Sequence, residues 1–327
     1  MAKLGYQLYS VRHPNEADSR MFPPGLFQWV EAFNRYGKFG KMNANIKKEN
    51  LEESDVIHVN VTPTNISYLA ALREELGISS STMLIANVDF GILMWGGIDP
   101  LVLRSMLSKA DMVFHVESTG ANRLERLLER KVYTIPHPVN VEDIKAGAIV
   151  GENNERSPVI SCQYHRYADT WVDYYYGLMN IRKDYPEIST VLMNYVAPEK
   201  GPRVPCICMF NELLSTMPYP EYMEILRKVL INVDVTFDYT YGRGIVEAAA
   251  LKIPTVGSST IEAQRVLSPE LAITPGKDDE MEATIQDLLE DDDYRETAAQ
   301  QAYENCETYS LENSYKLMTQ ILEEETK

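Results

Sequence analysis

The residues best suited to chemistry stand together in one segment, Val235 to Gly257. A β-branched run, Val235-Thr236-Phe237, leads through Asp238-Tyr239-Thr240-Tyr241 into Gly242-Arg243-Gly244, and an alanine-rich stretch containing Glu247 follows. This order predicts a strand, a turn with two glycines around an arginine, and a helix from Gly244 to Leu251. Free N–H groups at a helix start, the positive end of its dipole and a nearby guanidinium together make a phosphate site. Glycine lets the backbone come close to such an anion. Glu247, expected in the first helical turn, either stabilises the helix N-terminus or faces outward to accept sugar hydroxyls. A plain strand-to-helix turn, with Glu247 as its cap, is the simpler reading of the same residues.

Other candidates are more scattered. Asp89 follows the apolar run Met83 to Val88, so it is expected at a strand end, where a carboxylate within reach of a hydroxyl can act as a general base. An Asx turn ahead of Gly91 is the alternative. His58 and His115 lie inside apolar runs and read as core histidines, whereas His137 stands between two prolines in a turn. The acidic run Glu290-Asp291-Asp292-Asp293 reads as a solvated helix junction in preference to a metal site.

The elements that must position these residues follow a repeated pattern of short β-branched run, turn and amphipathic stretch. Strands are expected at 55–61, 83–88, 111–116 and 132–135, with helices at 64–76, 100–109 and 122–130 between them. The polar stretch 151–157 reads as a linker. A second series follows, with strands at 159–162, 190–194, 233–237 and 254–256 and helices at 171–182, 220–230, 244–251 and 280–289. A final amphipathic helix is expected over 310–324. Two βαβα series in 327 residues predict two Rossmann-like parallel-sheet domains facing a cleft, with ligands at the carboxyl ends of the strands.

Composition narrows the class. With 45% hydrophobic residues the chain can bury two cores, which excludes wholesale disorder. The 31 Lys and Arg stand against 48 Asp and Glu, a formal charge of −17, and this argues against a nucleic-acid partner. No apolar run approaches the roughly 20 residues of a membrane span, the first ten residues do not read as a secretory signal, and four irregularly spaced cysteines make no disulfide framework. A cytoplasmic, reduced protein is the expectation.

Four segments, in order, resemble one known family. Gly242 to Gly257 (Gly-Arg-Gly-Ile-Val-Glu-Ala-Ala-Ala-Leu-Lys-Ile-Pro-Thr-Val-Gly) resembles the donor-binding segment of retaining GT-B glycosyltransferases, particularly family 4. Asp55-Val-Ile-His-Val-Asn60 is similar to the family's acceptor-domain strand. Lys109-Ala-Asp-Met-Val-Phe114 resembles its Ala-Asp and apolar-strand segment, and Thr134-Ile-Pro-His-Pro-Val-Asn140 its Ile-Pro turn.

The resemblance implies a GT-B fold with an acceptor domain over 1–150, a nucleotide-sugar domain over 151–309, and a helix over 310–327 that packs back onto the first domain. It places Glu247 on the nucleotide ribose. The family's other donor-site Glu falls at Tyr239 and is missing, with Asp238 the carboxylate that a local shift would bring into its place. Arg166 matches the arginine that grips the donor pyrophosphate, although a surface salt bridge is an equal reading; the lysine expected after it is absent, and Arg243 would supply that charge. Asp89 would orient the acceptor. The implied activity is metal-independent sugar transfer, with retention, from a nucleoside-diphosphate sugar to an unidentified glycan, lipid or small molecule, without a cofactor and with peripheral membrane contact left open. A nucleotide-sugar 2-epimerase and an inactive homologue that binds nucleotide sugar or a partner are the alternatives.

Overall fold

The computed structural model describes residues 3–9, 25–43, 54–61, 66–74, 77–79, 81–88, 98–149, 156–163, 171–195, 210–215 and 217–325. Two six-stranded sheets, each parallel throughout, organise the chain. The first contains β1 (Gly5–Tyr9), β2 (Phe39–Asn43), β3 (Val56–Val61), β4 (Met83–Val88), β5 (Met112–His115) and β6 (Tyr133–Thr134), in the order β2-β1-β3-β4-β5-β6. Its helices are α1 (Gly25–Tyr36), α2 (Tyr68–Glu74), α3 (Pro100–Leu107) and α4 (Ser118–Leu128), and a short α5 (Val141–Lys145) leads away from it.

The second sheet contains β7 (Val159–Gln163), β8 (Ser189–Tyr195), β9 (Glu212–Ser215), β10 (Ile231–Asp234), β11 (Thr255–Ser258) and β12 (Ala272–Ile273), in the order β12-β11-β10-β7-β8-β9. Its helices are α6 (Trp171–Asp184), α7 (Tyr219–Leu226), α8 (Arg243–Ala250), α9 (Glu262–Leu267) and α10 (Asp278–Glu290), followed by α11 (Asp292–Asn305) and α12 (Leu311–Glu325). The chain starts at β7 in mid-sheet, builds to one side, then returns through β10 on the other. The strand order therefore reverses between β7 and β10, and the carboxyl ends of these two strands mark the crevice at which open parallel sheets bind ligands.

Several elements depart from the sequence expectation. The strand expected at 233–237 is β10, three residues shorter at its end, because Val235 onward leaves the sheet for the glycine turn. Ser118-Thr119-Gly120, expected as a turn before a helix at 122, forms the first turn of α4. The Glu117 carboxylate caps it, accepting from the N–H of Thr119 at 2.7 Å and from that of Gly120. β1, β2, β9, β12, α5 and α9 were not expected, and α11 was expected only as the far side of the acidic junction. The acidic run at 290–293 is the junction of α10 and α11, with Asp291 accepting from the Tyr294 N–H at 2.8 Å as a cap.

α12 lies with α1 on the first sheet. Leu311, Tyr315, Met318, Ile321 and Leu322 share a core with Tyr6, Leu8 and Phe33, and the Phe33 and Tyr315 rings meet edge-on at 5.0 Å. A second core joins Val116, Val139, Val141 and Ile144 to Val246, Ala249 and Tyr309, so apolar burial links the two halves. Residues 151–155 of the expected linker lie outside the described residues. Arg156 and Ser157 are tied to the second half: the guanidinium donates to the Leu251 carbonyl at 2.5 Å and the Ser157 N–H to the Lys228 carbonyl at 2.8 Å.

His58 sits in the core of the first sheet, 1% exposed, ringed by Tyr6, Trp29 and Phe114, with Nδ1 2.6 Å from the Tyr6 hydroxyl. Burial, reinforced by His137, lowers its pKa from 6.5 to about 3. An unfolded chain binds a proton there near pH 6.5 and the folded one does not, so stability is lost as pH falls through the window between, at up to about 1.4 kcal/mol per pH unit. Chemical unfolding of His58→Gln should therefore show a shallower loss of stability between pH 6.5 and 5 than wild type. Parallel slopes in the two proteins would contradict this.

Candidate functional site

The glycine turn lies between β10 and α8, beside the crevice. Gly242 precedes α8 in the left-handed region, with φ 83° and ψ 54°, and it brings no capping side chain to the helix start. A Cβ on Gly242 would stand 2.1 Å from Ile261 Cγ2. Gly244 is different. Its nearest neighbours to an added Cβ are the Tyr222 hydroxyl at 3.6 Å and Gln163 Cδ at 3.7 Å, an ordinary contact. The first glycine is required by backbone and packing; the second keeps the surface over Gln163 and Tyr222 low.

α8 begins one residue earlier than expected, at Arg243, so Glu247 falls in the second turn, and its side chain faces inward. Its side chain is 1% exposed, so it does not cap the helix. Arg243 is its partner at i−4: Nε donates to Oε1 at 2.7 Å, and Nη2 lies 2.7 Å from the same oxygen. The guanidinium stands 5.4 Å from the centre of the Tyr219 ring, and the Tyr222 hydroxyl hydrogen-bonds to the Glu247 carboxylate. Burial raises the Glu247 pKa, with Arg243 and the two tyrosines opposing it. For Arg243, burial is outweighed by Glu247 and Tyr219, and its pKa rises above the usual value. The pair is held from several sides.

Tyr222 is itself anchored. Gln163, the last residue of β7, donates from Nε2 toward the Tyr222 hydroxyl at 3.5 Å and to Asn232 Oδ1 at 3.1 Å. Asn232 also accepts from Ser161 Oγ at 2.9 Å and donates to Thr255 Oγ1 at 3.2 Å. The network crosses β7, β10 and β11, and through Tyr222 it joins the sheet to Glu247 on α8. Sequence reasoning missed Gln163, Tyr219 and Tyr222, for no spacing along the chain ties them to Glu247.

Of the other expected site residues, only Asp238 is among those described. Asp238 lies in the β10–α8 connection, where its N–H donates to Thr236 Oγ1 at 3.1 Å. Asp89 and Arg166 lie outside the described residues. Among those described, no three His, Cys, Asp or Glu side chains are grouped as a metal ion requires. No described helix is long and apolar enough to cross a membrane.

The first half of the chain meets this loop directly. Arg123 on α4 lies 5.3 Å from the centre of the Tyr239 ring. At the start of α4, Glu262 of α9 accepts from Ser118 Oγ at 2.7 Å and from the Ser118 N–H at 3.3 Å, and Arg265 pairs with the same carboxylate. Carboxylates thus fill the positive end of α4, whereas α8 receives none from its own first turn.

Substitution separates the two glycines. Gly242→Ala forces a side chain into a left-handed residue and against Ile261, and should lower stability by about 1–3 kcal/mol. Gly244→Ala should leave it unchanged or raise it by up to about 1 kcal/mol, alanine being the better helix former. Thermal unfolding of the two variants checks this, and equal losses in both would contradict it.

No protein-family model and no curated protein sequence matches the chain. Solved structures do. HepE of Anabaena in complex with UDP is 12% identical with a TM-score of 0.69, over 99% of this chain and 100% of that one. Sucrose-phosphate synthase of Thermosynechococcus elongatus is 15% identical with a TM-score of 0.68, over 98% of this chain and 99% of that one. A UDP-forming α,α-trehalose-phosphate synthase of Burkholderia vietnamiensis is 12% identical with a TM-score of 0.64, over 83% of this chain and 75% of that one. At such identities the likeness is one of fold: two facing parallel α/β sheets, the GT-B architecture.

Proposed function

We propose that the chain is a glycosyltransferase that moves a sugar from a nucleoside-diphosphate sugar to an acceptor, with the donor diphosphate at the start of α8. One observation carries this reading. At the crevice of the second sheet, a helix start without a capping side chain coincides with a glycine whose missing side chain leaves room and with an arginine fixed beside it. An anion held there would meet N–H groups, a helix dipole and a guanidinium together. The structural neighbours support it: one is described in complex with UDP and another as UDP-forming.

The chemistry follows from where charge develops. As the bond between sugar and diphosphate breaks, negative charge grows on the leaving phosphate. Donors already aimed at that position stabilise the transition state more than the ground state. In this reading Arg243 and the N–H groups around Gly244 carry that task, with Arg166 as a second cation, so the charge is neutralised without a metal. Asp89 orients the acceptor hydroxyl, Asp238 stands for the missing donor-site carboxylate, and the sugar keeps its anomeric configuration.

A thermal-shift screen against UDP, GDP, ADP and their sugars tests the reading. A ligand at 100 times its Kd stabilises by about 2.7 kcal/mol, and one nucleotide of the set should do so. Gly244→Ala should lose the shift while retaining wild-type stability, and Arg243→Ala should lower turnover by about 10²–10³, as expected for an oxyanion donor. No shift with any of these nucleotides would contradict the proposal.

A further inference from the structure

The family resemblance puts Glu247 on the nucleotide ribose, yet the geometry gives its carboxylate other work. It is 1% exposed, and a carboxylate offers about four lone-pair positions. Arg243 donates to Oε1 through Nε, with Nη2 in ion-pair contact with the same oxygen, and the Tyr222 hydroxyl also bonds to the group. A ribose hydroxyl would have to pass these side chains to reach a buried anion. Arg243, in contrast, keeps 16% of its side chain exposed at the first residue of α8. It is clamped between Glu247 and the Tyr219 ring.

We propose that Glu247 is a positioning residue that acts on the nucleotide through Arg243, holding the guanidinium at the start of α8 to meet the diphosphate. The inference rests on the nucleotide-sugar reading above. It accounts for three features together. An arginine side chain is long and loses considerable rotamer freedom when it grips a ligand, so fixing it beforehand removes that cost from binding. A buried carboxylate needs a cation, which explains why Glu247 and Arg243 stand one helical turn apart. The hydrogen-bonded series Thr255, Asn232, Gln163, Tyr222 then has a purpose, for it fixes the position of the carboxylate relative to the sheet.

The two roles differ in what they do to a nucleoside that has no phosphate. Glu247→Gln keeps the shape and removes the charge. Titration calorimetry with UDP and saturation-transfer NMR with uridine should show about ten-fold weaker UDP binding or more, with uridine binding within two-fold of wild type. If the screen selects another base, ADP with adenosine or GDP with guanosine replaces that pair. The double variant Arg243→Ala/Glu247→Gln, which removes both charges and so leaves none buried alone, should bind the diphosphate within two-fold of Arg243→Ala.

Equal weakening of nucleoside and diphosphate in Glu247→Gln would overturn the inference in favour of direct ribose contact. Unchanged binding of both, or a further loss in the double variant, would also overturn it. Failure of the wild-type protein to bind any of the diphosphates would instead remove the nucleotide-sugar reading on which the inference stands.

Discussion

The ion pair between Arg243 and Glu247 is the interaction on which the site is built. Two charges taken out of water cost several kcal/mol each, and their attraction offsets this only where geometry is good and the remaining lone pairs are satisfied. Here the helix supplies the spacing, Tyr219 on α7 supplies a ring face to the guanidinium and Tyr222 a hydroxyl to the carboxylate, and Gln163 at the end of β7 anchors that hydroxyl. The pair ties α7, α8 and the centre of the second sheet together at the crevice. An arginine without that support would be a mobile surface side chain.

The same economy of charge appears where the two halves meet. Glu117 and Glu262 both serve the start of α4, one from its own chain segment and one from across the junction. Arg265 neutralises the second carboxylate and also donates to the Ser259 carbonyl at 2.7 Å. Isolated surface pairs of this kind contribute little, but these are partly buried and linked to a shared apolar core. They hold the β11–α9 turn, and with it the β10–α8 connection, against the first sheet; the Thr260 hydroxyl donates to the Thr236 carbonyl at 2.7 Å to complete that link.

Much of the architecture was legible in the sequence because buried parallel strands are continuous apolar runs. Met83–Val88 and Val56–Val61 stood out for that reason. β2 did not: Phe-Gly-Lys-Met-Asn is an edge strand paired on one side only. β10 was misplaced because Asn232 and Asp234, both buried, interrupt its pattern, and Asn232 is there to join the polar network. α11 has a weak stripe, burying the small residues Ala298, Ala299 and Ala302. At the site, the glycine turn could be found by composition and local order. The tyrosines and Gln163 could not, since they reach Glu247 only through the crossover of three strands.

Everything proposed for the site requires a nucleoside diphosphate to bind with its phosphates at the start of α8. A crystal structure of the protein soaked or co-crystallised with UDP, or with the nucleotide the screen selects, tests it most directly. The diphosphate should lie within about 3 Å of the N–H groups around Gly244 and of the Arg243 guanidinium, with Glu247 still paired to Arg243 beneath it. A diphosphate bound away from α8, or a ribose hydroxyl on Glu247 with Arg243 swung aside, would contradict it.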